Sequence, residues 1–411
     1  MSFSDWREVR IGEVISFNPS ESLKKGEIAK KIAMEQLEPF TRKIANYELS
    51  QFTGGSKFRN GDTLLARITP CLENGKTAYV NILDDNEVAF GSTEFIVMRK
   101  KEKITDDMFV YYLAISPDFR NKAIQSMTGT SGRQRVQQDV LQSHKIMLPP
   151  LHEQKAIAAT LSALDDMIEL NNQINKTLEE MAQAIFKSWF VDFEPFRDGE
   201  FEESEIGPIP KGWKVGMLGD FVEIVDNRGK TPPLSDVKTE YPIIDVRALS
   251  GESRVIDYSN CTKYVEKEIY DSWFRSGHPK HLDILISTVG SIAEMKMFYG
   301  NKGCIAQNVV AFRSNGISPC YLYQYLQYSK GDLLSYNIGS VQPSIKVTHV
   351  IKYKIIVPDE KTMSSFDMLM ESISDQIHRN ANESQILIAI RDTLLPKLIS
   401  GEIRVPVEEV V

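Results

Sequence analysis

The chain has 411 residues, 42% hydrophobic and 25% charged, with a formal net charge of −8. That length calls for two or more domains, each large enough for its own core, and the composition excludes a disordered or fibrous chain. No apolar run approaches about 18 residues, which excludes a helical membrane span, and no N-terminal apolar stretch resembles a secretion signal.

The four cysteines, Cys71, Cys261, Cys304 and Cys320, form no C-x-x-C pair, so reduced thiols in the cytoplasm are expected. The net charge argues against a nucleic-acid partner only until it is divided. Residues 1–150 carry 21 Lys+Arg against 19 Asp+Glu, and residues 207–358 carry 18 against 14. Residues 151–206 carry 4 against 13, and residues 359–411 carry 5 against 10. Two mildly basic blocks thus alternate with two acidic segments, a pattern that permits phosphate contacts in the blocks and protein partners at the segments.

In chain order, residues 1–150 open with Trp6-Arg7-Glu8-Val9-Arg10-Ile11-Gly12 and continue as short β runs broken by Gly, Pro and Asn. Residues 63–68 and 94–98 read as strands, 108–115 as a short aromatic helix, and 145–148 as a closing strand. Residues 151–193 form a first rod. No Gly or Pro occurs from Leu151 to Phe190, and Leu161, Leu164, Ile168, Ile174, Leu178, Met181, Ile185 and Trp189 recur at helical spacing. At about 1.5 Å per residue the rod is roughly 60 Å long. Residues 194–212, rich in Glu, Gly and Pro, read as an exposed linker.

Residues 213–358 repeat the first block, with Trp213 at the opening, strands at 284–289 and 308–312, a helix at 321–328 and a closing strand at 354–357. Residues 359–401 form a second rod, with Asp359 as N-cap, Pro396 expected to kink or fray the last turn, and Gly401 as its end. Residues 402–411 are a tail. A shift of 209 positions sets Pro149 on Pro358, Ile168 on Ile377, Asn171 on Asn380, Leu178 on Leu387 and Ile185 on Leu394 without a gap. A whole domain plus helix therefore occurs twice.

A seam reading places Leu164, Ile168, Asn171, Asn175, Leu178, Ala182, Ile185 and Trp189 along one side of the first rod. The second offers Ile373, Ile377, Asn380, Ser384, Leu387, Arg391, Leu394 and Leu398. Polar residues at seam positions lower stability but fix register. The rods can pair antiparallel within one chain; the alternative is that each packs only on its own block.

Three stretches carry a family resemblance: Leu148-Pro149-Pro150-Leu151-His152-Glu153-Gln154-Lys155-Ala156-Ile157, Ile185-Phe186-Lys187-Ser188-Trp189-Phe190-Val191-Asp192-Phe193, and Leu394-Leu395-Pro396-Lys397-Leu398-Ile399-Ser400-Gly401-Glu402-Ile403. Through them the chain, over essentially its full length, resembles the specificity subunits of type I restriction–modification systems. The second connector departs from the pattern at Pro358-Asp359-Glu360-Lys361.

The resemblance implies an α+β fold in which two pseudo-repeated mixed α/β target recognition domains, 1–150 and 213–358, are joined by two long helices forming an antiparallel coiled coil. It implies further that the chain brings two methyltransferase subunits to an asymmetric bipartite site on double-stranded DNA. Restriction (translocase and endonuclease) subunits would join that core. S-adenosylmethionine, ATP and Mg would be used by those partners and not by this chain.

The residues offer little catalytic chemistry. Gly75-Lys76-Thr77 and Gly229-Lys230-Thr231 lack the earlier glycine of a phosphate-cradling loop. No amino-methyltransferase motif and no nucleophile signature is present. His278-Pro279-Lys280-His281 has no third ligand at suitable spacing. Asp283, Glu294 and Lys296 have a spacing acceptable for a metal-dependent nuclease and form the leading alternative. A coiled-coil scaffold without a DNA role is a third reading.

Base readout needs bidentate donors and acceptors on loops. In the first block Thr130, Ser131, Arg133, Gln134 and Arg135 lie in a Gly-bearing loop, and Ser340, Gln342, Ser344 and Lys346 lie in its counterpart. Arg67, Thr69, Ser92, Thr93, Thr288, Ser291, Gln307 and Asn308 follow or precede the paired strands. For any one of them an ordinary surface turn is the competing reading. Because the scaffold positions match while the loop residues differ, each block is expected to read a different short sequence. The half-sites would lie about one helical turn apart, roughly 34 Å, across an unread gap.

Overall fold

The computed structural model describes residues 5–130, 132–300, 302–339 and 341–406. The chain divides into two compact units, Met1–Glu169 with Ser384–Val411, and Leu170–Glu383. Each unit combines one globular block with a stretch of both long helices.

In the first unit an antiparallel sheet runs in the order Ile15–Phe17, Phe95–Lys100, Thr63–Ala66, Thr77–Tyr79. Thr63–Ala66 is buried at every position, which explains its continuous rather than alternating apolar pattern. The helix Asp107–Ile115 buries Phe109 to Ala114, and the Asp106 carboxylate caps it by accepting the Phe109 N–H at 3.0 Å. Arg7–Arg10 and Lys145–Leu148 pair antiparallel. That pairing brings Trp6 beside the first turn of the long helix, where its Nε1 donates to Glu153 at 2.7 Å. A second sheet, Glu48–Gln51, Ile28–Ile32, Ala89–Gly91, Ser56–Phe58, completes the unit.

The second unit has the same antiparallel sheet order: Val222–Val225, Val309–Ser314, Ile284–Ser287, Met295–Met297. Lys214–Met217 pairs with Lys354–Val357 as the end strands do in the first unit. The helix Pro319–Tyr328 takes the place of Asp107–Ile115. Among the described residues the second sheet is not repeated; the short helices Val246–Leu249, Tyr258–Asn260 and Lys267–Ser272 lie in its part of the chain. The duplication thus preserves the central sheet and changes what is inserted into it.

The long helices are Leu151–Phe190 and Glu360–Ser400. In the first unit Arg391 donates to Asp165 at 2.8 Å. In the second, Asn171 donates to Glu383 at 3.0 Å, Asn175 to the Ile377 backbone carbonyl at 3.1 Å, and Asn380 Nδ2 to Asn175 Oδ1 at 2.9 Å. In the second unit partners descend one helix as they climb the other, so the pairing there is antiparallel. Asn171, Asn175, Ile377, Asn380 and Leu387 are buried, and Leu164, Ile168, Leu178, Ile185, Ile373 and Leu394 are half-buried.

The alternative in which each rod packs only on the block preceding it fails. Phe186 and Phe190 sit in the core of the second unit, where the Phe190 ring lies 4.8 Å from Tyr321 and 4.9 Å from Phe366. Leu395 and Leu398 belong to the core of the first unit, with Trp6 and Leu161.

One local expectation, the exposed linker, is corrected, and the fraying expected at Pro396 does not occur. The stretch taken for an exposed linker contains the antiparallel hairpin Phe201–Ser204 with Gly207–Pro210. Its Ile209 is buried, Phe193 packs on Phe201 and Phe196 packs on Trp213. Sparse aromatic anchors outweigh the Glu, Gly and Pro that dominate the composition there. Pro396 lies inside the second helix, which continues to Ser400. Burial of Leu395 and Leu398 on either side offsets the missing hydrogen bond. Gly401, at φ +77°, then turns the chain out, with its N–H donating to Leu398 at 3.3 Å.

Candidate nucleic-acid interface

Three chain segments meet beyond one end of each central sheet, and they meet through the same backbone hydrogen bonds. In the first unit the Arg67 N–H donates to the Glu94 carbonyl at 3.0 Å, Val136 N–H to Arg67 at 2.8 Å, and Thr69 N–H to Gln134 at 3.0 Å. In the second the Thr288 N–H donates to Asn308 at 2.7 Å, Ile345 N–H to Thr288 at 2.9 Å, and Gly290 N–H to Pro343 at 2.9 Å. The bridge between Ile68 and Arg135 is matched by one between Val289 and Ser344. One frame therefore supports two sets of side chains. Arg67, Glu94 and Arg135 stand where Thr288, Asn308 and Ser344 stand in the other unit.

Both closing loops turn on a glycine. Gly129 adopts φ +132°. A Cβ on Gly339 would stand 1.8 Å from the Gln342 carbonyl, so that close approach admits no larger residue. Asn337 Oδ1 holds the second loop by accepting the N–H groups of Gly339 and Ser344, both at 3.0 Å.

The first unit concentrates charge at this place. Glu94 accepts from Arg67 Nε at 3.1 Å and from Arg135 Nη2 at 2.6 Å. The Arg135 hydrogen bond, reinforced by Arg67 and only partly opposed by burial, holds the Glu94 carboxyl below the usual glutamate range. The Glu94 N–H in turn donates to Ser92 Oγ at 3.1 Å. Thr93, Thr130 and Arg133 are exposed, Gln134 is half-buried, and Thr69 Oγ1 donates to Glu73 at 3.2 Å.

In the second unit Ser291, Gln307, Gln342 and Lys346 are exposed, while Asn308 and Ser344 are half-buried. Thr288 is buried, and its hydroxyl donates to the Asn308 carbonyl at 3.1 Å while accepting from Arg228 Nη1 at 3.2 Å. It acts as scaffold and does not present a free edge. Gln307, at φ +59°, donates to Thr231 Oγ1. Ser131 and Ser340 lie outside the described residues.

Sequence reasoning missed three residues at these sites. Glu94 gathers Arg67 and Arg135, and Arg228 reaches Thr288 while paired with Asp226 at 2.7 Å. The signal for Glu94 was its position next to Ser92 and Thr93, but nothing local indicates that two distant arginines share it.

The nuclease constellation does not assemble. Phe298 N–H donates to the Asp283 backbone carbonyl and Ser287 N–H to the Glu294 backbone carbonyl, so the two residues sit at opposite ends of one strand pair. At about 3.3 Å per residue they are separated by roughly 13 Å along the strand, too far for one metal. Each group is otherwise engaged. Asp283 binds Arg313 at 2.8 Å, Glu294 binds Lys330 at 3.1 Å, and buried Lys296 donates to the Gly251 carbonyl at 2.8 Å. Burial pushes the Lys296 amine down to about 8. His278 stacks on Tyr270 with ring centroids 3.7 Å apart, and His281 packs against Tyr299. No helix among the described residues is long and apolar enough to cross a membrane.

The family described as "Type I restriction modification DNA specificity domain" matches residues 3–180 and again 210–386. The MjaIX specificity subunit of Methanocaldococcus jannaschii is 27% identical over 315 residues, covering 72% of this chain and 69% of that protein. The HindI specificity subunit of Haemophilus influenzae is 24% identical over 473 aligned positions, covering 97% of this chain and all of its own length. In fold, the S subunit of a type I restriction–modification system from M. genitalium superposes with a TM-score of 0.53 at 16% identity, covering 97% of both chains. Two matches to one domain model, on two units with a shared sheet order and a shared loop frame, place the chain in the type I restriction–modification DNA specificity family.

Proposed function

We propose that this chain is the non-catalytic reader of its restriction–modification complex, each unit recognising one half of an asymmetric bipartite site on double-stranded DNA. The observation that carries the reading is the repeated backbone frame with exchanged side chains, Arg67, Glu94 and Arg135 against Thr288, Asn308 and Ser344. Equivalent loops approach equivalent grooves, and different donors and acceptors select different bases. In the first unit Arg67, Thr69, Ser92, Thr93, Thr130, Arg133, Gln134 and Arg135 form the reading surface; in the second, Ser291, Gln307, Asn308, Gln342, Ser344 and Lys346 do.

The paired helices set the unread gap and dock two methyltransferase subunits. What supports docking is the apolar face that the second unit leaves open on the first helix, where Leu170, Ile174 and Met181 are 55%, 39% and 48% exposed at helical spacing. Restriction subunits complete the assembly. S-adenosylmethionine, ATP and Mg belong to those partners, and the complex works in the cytoplasm.

Selection of randomised duplexes by this chain together with its modification subunits tests the reading. Two short conserved blocks separated by a gap without base preference are expected. One continuous block, or no preference at all, overturns it.

A further inference from the structure

Arg67, Glu94 and Arg135 come from three separate stretches of the first unit and form a charged cluster beside its closing loop. Arg67 is joined to Glu94 twice, through the backbone at 3.0 Å and through its Nε at 3.1 Å. Arg135 uses Nε and Nη2 on the same carboxylate. The side chains of Arg67 and Arg135 are 35% and 45% exposed, while that of Glu94 is 20% exposed.

A guanidinium has five N–H donors in a fixed plane. This arrangement leaves both Nη groups of Arg67 and the Nη1 of Arg135 without a partner among the described residues. Two long side chains that would otherwise sample many rotamers are thereby oriented before any ligand arrives, with donors to spare. In the second unit the same three backbone positions carry Thr288, Asn308 and Ser344, none of them charged. The cluster is a property of one unit, not a requirement of the fold.

We infer that Arg67 and Arg135 read guanine in the half-site of the first unit, and that Glu94 is a positioning residue that holds their planes edge-on to the base. Guanine presents O6 and N7 as paired acceptors in the major groove, the pattern that a guanidinium matches bidentately. Glu94 does not touch the base; it fixes two donors that do. The inference rests on the proposal that the first unit reads one half of the site, and it adds which base and which residues.

The test uses the intact complex of this chain with its modification subunits. The site is defined first on random duplexes, and binding is then measured to that site, to versions with each guanine replaced, and to versions carrying 7-deazaguanine. Wild type is expected to lose about fivefold to a hundredfold in affinity when N7 is removed at one guanine of the half read by the first unit. Arg135→Lys keeps the charge but not the fork, and Glu94→Gln keeps the size but not the charge. Both are expected to erase most of that discrimination, while the other half-site and the salt dependence of binding stay as in wild type.

Three results overturn the inference. One is a first half-site without guanine. A second is indifference of the wild type to 7-deazaguanine. The third is a Glu94→Gln complex that binds every sequence more weakly by one common factor, which is the mark of a purely structural role. A complex that selects no sequence at all sinks the reading of the whole chain instead, so the two failures are distinguishable.

Discussion

Arg254 offers a sharp test of how the second block is fastened to its helices. Its guanidinium is fully buried, donating to Glu179 at 2.7 and 2.9 Å, on the first long helix, and to Ser374, on the second, at 2.5 Å. The Tyr323 ring lies under it at 5.0 Å. Burial works against the charge, but the Glu179 hydrogen bonds and charge outweigh it, so the guanidinium is held more firmly protonated than usual.

Removing one member of such a pair leaves the other charge without compensation, which costs about 3–5 kcal/mol in a buried site. Glu179 keeps 17% of its side-chain surface exposed, so solvent screens part of the loss and about 3 kcal/mol is expected for Arg254→Met. Replacing both partners, Arg254→Met with Glu179→Leu, leaves no orphan charge and is expected to recover most of that loss. Urea unfolding followed by tryptophan fluorescence measures both. A single substitution costing under about 1 kcal/mol, or a double variant no more stable than the single, refutes the reasoning.

Three further outcomes follow from the same contacts. Phe190→Ala empties a fully enclosed aromatic site against Tyr321 and Phe366 and is expected to cost about 3–5 kcal/mol in the same unfolding assay; a loss under about 1 kcal/mol contradicts the packing. Lys296 has its amine lowered from 10.5 to about 8 by burial, so between those values the unfolded chain binds a proton that the folded chain does not. Stability should therefore rise with pH across that window by roughly 3 kcal/mol in wild type relative to Lys296→Met, and parallel pH curves for the two proteins would contradict it. Leu170→Glu with Met181→Glu places charge on the open helical face and is expected to weaken co-purification with the modification subunits at least tenfold while leaving the melting temperature of the isolated chain unchanged; undiminished co-purification assigns docking elsewhere.

The rods and the repeat were the most legible features. A gap-free shift of 209 positions and forty residues without Gly or Pro leave little freedom, and the helix Leu151–Phe190 follows. The closing strands were equally legible, because short apolar runs before a diproline or Pro358 have few alternatives. The hairpin at Phe201–Pro210 was not, since its pairing depends on Phe193, Phe196 and Trp213 packing in three dimensions. The insertions were opaque for a related reason: strands Ile28–Ile32 and Ala89–Gly91 pair across nearly sixty residues of chain, and no local pattern reports such a partner.

At the candidate interface, the loops were legible as a set because they recur at matching places. Individual roles were not, since a Thr in a loop reads the same whether it is exposed, as Thr130 is, or buried as scaffold, as Thr288 is. Charge sharing between Arg67, Glu94 and Arg135 is likewise a product of folding and not of spacing.

If each unit reads its own half of the site, exchanging a closing loop between the units carries base preference with it. Residues 337–346 are replaced by residues 128–137, which hang on the equivalent backbone hydrogen bonds, and the methylated sites made by the complex are mapped on genomic DNA. A changed second half beside an unchanged first half and an unchanged gap is expected. A motif altered in both halves, or one left wholly intact, would contradict it.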